Sequence, residues 1–238
     1  MSVNPESIEK ADNAEGGLAH RAYVELEELI VTLQIRPGTF LSELALSKQL
    51  GIGRTPIREA LLRLSYEGLV VIIPRRGVFV TEIDVNEHFR MIEFRREVER
   101  LVVRLACRRA TPEECANLAQ IAREMEDVAE QSDSTRFIRI DQRMDQAIYA
   151  AARNPFASKA LRTMSSLTRR FWFRYHKGII DVPRCARLHA RIARAVSERD
   201  DGAAAEHLGT LLDYIEQMTH ASVGSHHGFE SSFTASTG

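Results

Sequence analysis

Long apolar runs are missing from this 238-residue chain. Nothing approaches the roughly 20 consecutive apolar residues that a membrane-crossing helix needs, and no cationic start leads into a short apolar core of secretory type. Cysteine is scarce. Cys107, Cys115 and Cys185 have neither disulfide-type nor metal-type spacing, which excludes a disulfide-stapled scaffold and points to a cytoplasmic protein without membrane attachment. Bulk charge is missing as well. With 32 Lys+Arg against 33 Asp+Glu the net charge is −1, so the chain cannot hold a polyanion by overall attraction, and any such role must rest on local charge. Internal repeats and sustained heptads are absent. No clear nucleophile, Gly-rich phosphate loop or paired acid and base stands out, so no catalytic residue is assigned.

What is present divides near Asp84. Between Lys48 and Gly77 the basic residues Lys48, Arg54, Arg58, Arg63, Arg75 and Arg76 face only Glu59 and Glu67, a local net of +4. Within the stretch Leu41–Phe79, Ser42 is placed to cap a short helix with the apolar set Leu44, Leu46 and Leu50, and Gly51 reverses the chain after it. Thr55-Pro56 opens a second helix, Thr as N-cap and Pro at the first helical position, with Ile57, Ala60, Leu61 and Leu64 as its buried stripe. The apolar runs Leu69–Ile73 and Val78–Val80, separated by Pro74-Arg75-Arg76-Gly77, predict a hairpin. Upstream, Tyr23, Leu26, Ile30 and Leu33 predict a supporting helix that Pro37-Gly38 ends. Together these make a winged helix-turn-helix over residues 18–82, after a disordered segment 1–17.

From Asp84 the strand signals vanish. Asp84 with Glu87, and Thr111 with Glu114, read as capping boxes. Further helices span about Ser134–Ala152, Pro155–Lys177, Pro183–Arg199 and Asp201–His220. The short junctions predict an antiparallel six-helix bundle over 84–220, followed by a Ser-, Gly- and His-rich disordered tail 221–238. The fold class is mainly α: an N-terminal winged helix-turn-helix plus a C-terminal all-α bundle.

Two groups of residues carry chemistry. A helix-turn-helix enters the major groove with the N-terminus of its second helix, and Arg54 and Arg58 lie on the outward side of that N-terminus. An Arg can take guanine O6 and N7 together. Thr55 and the first-turn N–H groups suit phosphate, and Arg75 and Arg76 with Gly77 suit the minor groove or its flanking phosphates. The bland alternative, an ordinary solvated face, fits each arginine alone better than it fits their joint placement. In the helical half, Asp141 and Asp145 fall on the seam of Ile138, Ile148 and Ala152, and His189 shares a face with Ile192, Ala193 and Val196. Arg95, four residues before Glu99, borders the stripe of Phe94, Val98, Leu101 and Leu105. Buried carboxylates require partners. Asp141, Asp145 and a histidine are able to bind a divalent metal such as zinc; the alternative is a salt-bridged interior holding Arg95 or another arginine.

GIGRTPIREALLRLSYEGLV followed by PRRGVFV resembles the DNA-binding domain of the GntR family of bacterial transcription regulators, and the helical remainder resembles the ligand-binding FCD domain of its FadR subfamily. The resemblance implies a homodimeric repressor that releases a palindromic double-stranded DNA operator on binding a small anionic, carboxylate-type metabolite, held by Arg95, Asp141, Asp145 and His189. In the FCD family an Asp, a His four residues later and two further His form a metal site. Here Asp141 and His189 match, whereas Asp145 and Leu211 stand where His is usual, with His207 one turn before Leu211 as the nearest substitute. Gly53 stands where the family has Ser or Thr. A metal-dependent enzyme built on Asp141, Asp145 and His189, and a winged-helix protein-interaction module, are the alternatives.

Overall fold

The computed structural model describes the backbone of residues 5–176 and 180–234 and the side chains of residues 17–175 and 180–221. It divides into two compact units, one of residues 1–84 with 163–174, the other of residues 85–162 with 175–238. The break at Asp84 is the one the change of sequence texture predicts. The inclusion of 163–174 in the first unit is not.

The first unit begins with α1 (Pro5–Val31). Its helical backbone covers residues 5–17, where composition predicts disorder. Pro5 sits at the first helical position, and Glu6, Glu9, Lys10 and Ala11 are good helix formers. Residues 1–4 lie outside the described residues. Leu26 and Ile30 are fully buried and pack α1 against α3 (Arg54–Tyr66). At this junction the Tyr23 hydroxyl donates to Glu67 at 2.8 Å and the Arg63 guanidinium lies 3.5 Å from the centre of the Tyr23 ring. Burial and the Glu67 carboxylate push the Tyr23 phenol up to about 12. Between α1 and α3, Ser42 caps α2 (Glu43–Leu50) by accepting from the Ala45 N–H, and Gly51 closes it in the left-handed conformation at φ 64°, as predicted.

The wing contains one strand more than its hairpin signal. The three-stranded antiparallel sheet has the order β1 (Phe40–Leu41), β3 (Gly77–Val80), β2 (Val70–Ile73), with Phe40 opposite Phe79 and Ile73 opposite Gly77. A two-residue strand leaves no alternation to detect, yet it gives β3 a second neighbour and puts the Phe40 and Phe79 rings 5.4 Å apart.

The second unit contains α4 (Val85–Arg109), α5 (Pro112–Gln131), α6 (Ser134–Ala152), α8 (Val182–Ser197) and α9 (Asp201–Thr234). α5 packs on α6 and α8, and α4 on α6, α8 and α9. The Thr111–Glu114 capping box forms as predicted. Residues 221–234 continue α9 where a disordered tail is predicted; elongating an existing helix needs no new nucleus. Residues 235–238 lie outside the described residues.

The fourth of the six predicted helices departs from the bundle. α7 (Pro155–Phe171) passes into a π-helical turn, Trp172–His176, and the predicted helical end at Lys177 lies outside the described residues. Its second half belongs to the first unit: Arg169 pairs with Glu27 and Glu28, both at 2.8 Å, the Ser166 hydroxyl donates to Glu27, and Arg170 donates to the Thr81 carbonyl at 3.0 Å. Leu167 and Phe173 pack on that unit's core. The aromatic run Phe171–Phe173 is therefore structural, with Phe171 buried. Arg96 pairs with Asp213 and Glu216, and Arg104 and Arg108 with Asp201.

Candidate functional site

On the first unit, α3 starts at Arg54 with Gly53 as its N-cap and no side-chain capping bond. Thr55 is thus inside the helix and not its cap. Ile52 is buried immediately after the left-handed Gly51, and the chain returns to helical geometry two residues earlier than Thr55-Pro56 suggests. An N-cap without an oxygen leaves the Arg54 and Thr55 N–H groups open to an anion. Arg54 and Arg58 point outward, their side chains 63% and 66% exposed.

A residue that sequence reasoning missed organises both arginines. Glu43, at the start of α2, accepts from Arg58 Nε at 3.1 Å and Nη2 at 2.9 Å, and Arg54 Nη2 lies 3.9 Å away. The paired arginine holds the Glu43 carboxyl below its usual range. Only the acid itself, fifteen residues before Arg58 in an otherwise basic segment, signals the contact. The side-on grip uses the Nε/Nη2 edge of Arg58 and leaves its Nη1/Nη2 edge free, which is the fork a guanine requires. Arg58→Ala is expected to cost about 1–3 kcal/mol on operator DNA and far less on scrambled duplex. Equal losses in fluorescence anisotropy would show that Arg58 reads no base.

At the wing tip the Arg76 N–H donates to the Ile73 carbonyl at 3.0 Å, closing a tight turn whose third residue, Arg75, has φ 64°. That position favours Gly. Arg75→Gly is therefore expected to raise stability by about 1 kcal/mol while weakening duplex binding. A melt and a titration with the same sign would remove Arg75 from the interface. Gly77, at φ 105°, faces Phe40, whose ring an added Cβ would strike.

On the second unit, the spacings that placed Arg95, Asp141, Asp145 and His189 on inner faces bring them into one cluster of α4, α6 and α8. The His189 Nδ1–H donates to the Cys185 carbonyl at 2.8 Å, and Nε2 lies 3.1 Å from Asp141 Oδ1. Both ring nitrogens thus lie within hydrogen-bond reach of an oxygen, an arrangement that favours the protonated ring. Burial opposes that charge, but the Cys185 thiol, whose Sγ lies 3.7 Å from Nδ1, and Asp141 outweigh it and raise the His189 pKa well above 6.5. Asp145 is also shifted upward: burial, then Asp141 and Glu99, raise its pKa well above 3.8. Arg95 Nε pairs with Glu99 at 2.5 Å and is not bound directly by either aspartate. Its Nη1 is buried without a hydrogen-bond acceptor.

The metal reading does not fit these residues. Leu211, where the family's last His is usual, is a buried aliphatic side chain. Among the described residues no group of three or more His, Cys, Asp or Glu side chains is placed to hold a metal ion.

The raised histidine value gives the cluster a pH signature. Because the folded pKa exceeds the unfolded one, this proton stabilises the fold fully below about pH 6.5 and its contribution is lost as pH rises through the folded value. Asp145, also raised, acts in the same direction from its unfolded value of 3.8 upward. The wild-type melting temperature is expected to fall with rising alkaline pH more steeply than that of His189→Gln; parallel curves would refute the imidazolium.

Comparison with known proteins follows this division of the chain. The model of the bacterial regulatory proteins of the gntR family matches residues 18–80, and that of the FCD domain matches residues 90–214. The chain belongs to the GntR family. Its relatives include the Nta operon transcriptional regulator of Aminobacter aminovorans, 33% identical over 141 residues that cover 59% of this chain and 67% of that protein. The HTH-type transcriptional repressor RspR of Escherichia coli is 25% identical over 89% of this chain and 95% of its own length. The solved structure of E. coli McbR/YncC shares the fold, with a TM-score of 0.74 at 20% identity, covering 86% of this chain and 97% of that one. This GntR chain is a DNA-binding transcription regulator with an FCD domain and not an enzyme. Among its described residues no helix is long and apolar enough to cross a membrane.

Proposed function

We propose that this GntR regulator is an effector-controlled, homodimeric repressor that holds a palindromic operator and releases it when a small carboxylate metabolite enters the α4/α6/α8 cluster. Arg54 and Arg58 read bases, Arg75 and Arg76 engage the groove beside them, and a two-fold dimer presents both recognition helices to symmetric half-sites. The observation that carries the effector reading is the buried Arg95 Nη1, a cationic donor with no acceptor, inside a cluster that also contains the His189 imidazolium. A buried donor of this kind is costly unless something fills it. The repressor named among the relatives, RspR, supports repression rather than activation.

The test is release of the selected operator by pooled carboxylates and sugar acids, followed by anisotropy with Asp141→Ala. Operator binding by the free variant is expected to survive while release is lost. Unchanged release in Asp141→Ala would place the effector elsewhere.

A further inference from the structure

We propose that the outward face of α4 is an antiparallel seam for a second copy of this chain. The inference rests on the homodimer in the reading above and names its surface and register. Phe94, Val98, Leu101 and Leu105 recur at steps of four, three and four, the spacing by which one helix packs along another. Phe94 and Leu101 are 40% and 47% exposed, and Val98 and Leu105 are half-buried. Leu101 and Leu105 also line a groove with Glu97, Arg100, Arg104 and Arg108. Large apolar side chains left open along one helix, rimmed by charges, mark a surface that a partner covers.

The charges beside this stripe select the partner. Glu93 and Glu97 come first along α4, and Arg100, Arg104 and Arg108 follow. Glu93, Glu97 and Arg100 are exposed and take part in no ion pair among the described residues. Arg104 and Arg108 reach Asp201 at 3.8 and 2.6 Å, yet their side chains remain 50% and 60% exposed. An acidic partner would be repelled by the glutamates, and a basic partner by the arginines. A surface with the reverse order of charge satisfies both, and a second α4 running antiparallel is such a surface.

The spacing also fixes the register. A two-fold axis between Glu99 and Arg100 lays Val98 on the partner's Leu101 and Phe94 on the partner's Leu105, so the seam fills with apolar layers. The same register sets Glu97 opposite the partner's Arg104, and symmetry repeats the pair. A parallel copy would oppose glutamate to glutamate and arginine to arginine, a repulsion that selects against it.

The experiment is sedimentation velocity of the full-length protein over a concentration series. Leu101→Asp is expected to raise the dimer dissociation constant at least about hundredfold. Glu97→Arg and Arg104→Glu, each alone, are expected to weaken the dimer about tenfold, and an equimolar mixture of the two is expected to regain wild-type affinity as a heterodimer. Mixing does not rescue a variant that merely misfolds. Under mild oxidation Arg100→Cys, beside the axis, is expected to cross-link to its own counterpart, whereas Arg90→Cys, about 28 Å from its counterpart along the seam, is not. A Leu101→Asp dimer as tight as wild type, with no gain on mixing the charge variants, would overturn the seam and leave the homodimer standing. Wild-type protein that is monomeric across the whole series would overturn both.

Discussion

Arg95→Ala is expected to destabilise the helical unit by about 3 kcal/mol, the penalty for removing one partner of a buried ion pair. Arg95 and Glu99 are only 16% and 14% exposed, so water screens little of their attraction. Without the guanidinium, Glu99 is left beside Asp145 without its ion-pair partner. The loss therefore exceeds the packing of one side chain. A double-mutant cycle separates the two contributions: Arg95→Met with Glu99→Leu, which removes both charges, is expected to recover most of the stability that Arg95→Ala loses. Urea denaturation followed by circular dichroism reads both. If the double variant is no more stable than Arg95→Ala, packing rather than the stranded charge sets the loss.

Gly77→Ala is expected to damage the wing by about 2–3 kcal/mol and to abolish tight operator binding. Its φ of 105° is strained for any L side chain. The added methyl would also strike the Phe40 ring, displacing it from Phe79, and contacts between such rings contribute roughly 1 kcal/mol. Phe40 is 55% exposed and can swing outward, so the steric part is relieved by Phe40→Ala while the backbone strain persists. The double variant should recover part of the loss and no more. Full recovery would mean that the backbone at Gly77 tolerates a side chain, and no loss at all would remove the wing from DNA recognition.

Features encoded within one or two helical turns were legible in the sequence. The Thr111–Glu114 box, the bounds of α6, the left-handed Gly51 and the outward Arg54 and Arg58 all follow from local spacing. So does the meeting of Asp141 with His189, since each lies on the apolar face of its own helix. What escaped is encoded over long separations or in very few residues. Glu43 reaches Arg58 across the turn, and Arg169 reaches Glu27 across 142 residues, so neither pairing leaves a periodic trace. The first strand has two residues. The cap at Gly53 was hidden because Thr and Pro are stronger start signals than Gly, and tertiary burial of Ile52 overrode them. The metal reading followed Asp141 and His189, which do meet, while among the described residues no group of three or more potential ligands is placed around them.

Selection of bound sequences from random duplexes, run in parallel with wild type and Arg58→Ala, tests the central claim most directly. The wild-type protein is expected to return a palindrome with a guanine in each half-site, and Arg58→Ala the same palindrome with preference lost at one symmetric pair of positions. A wild-type consensus without two-fold symmetry, or an identical consensus from Arg58→Ala, would contradict it.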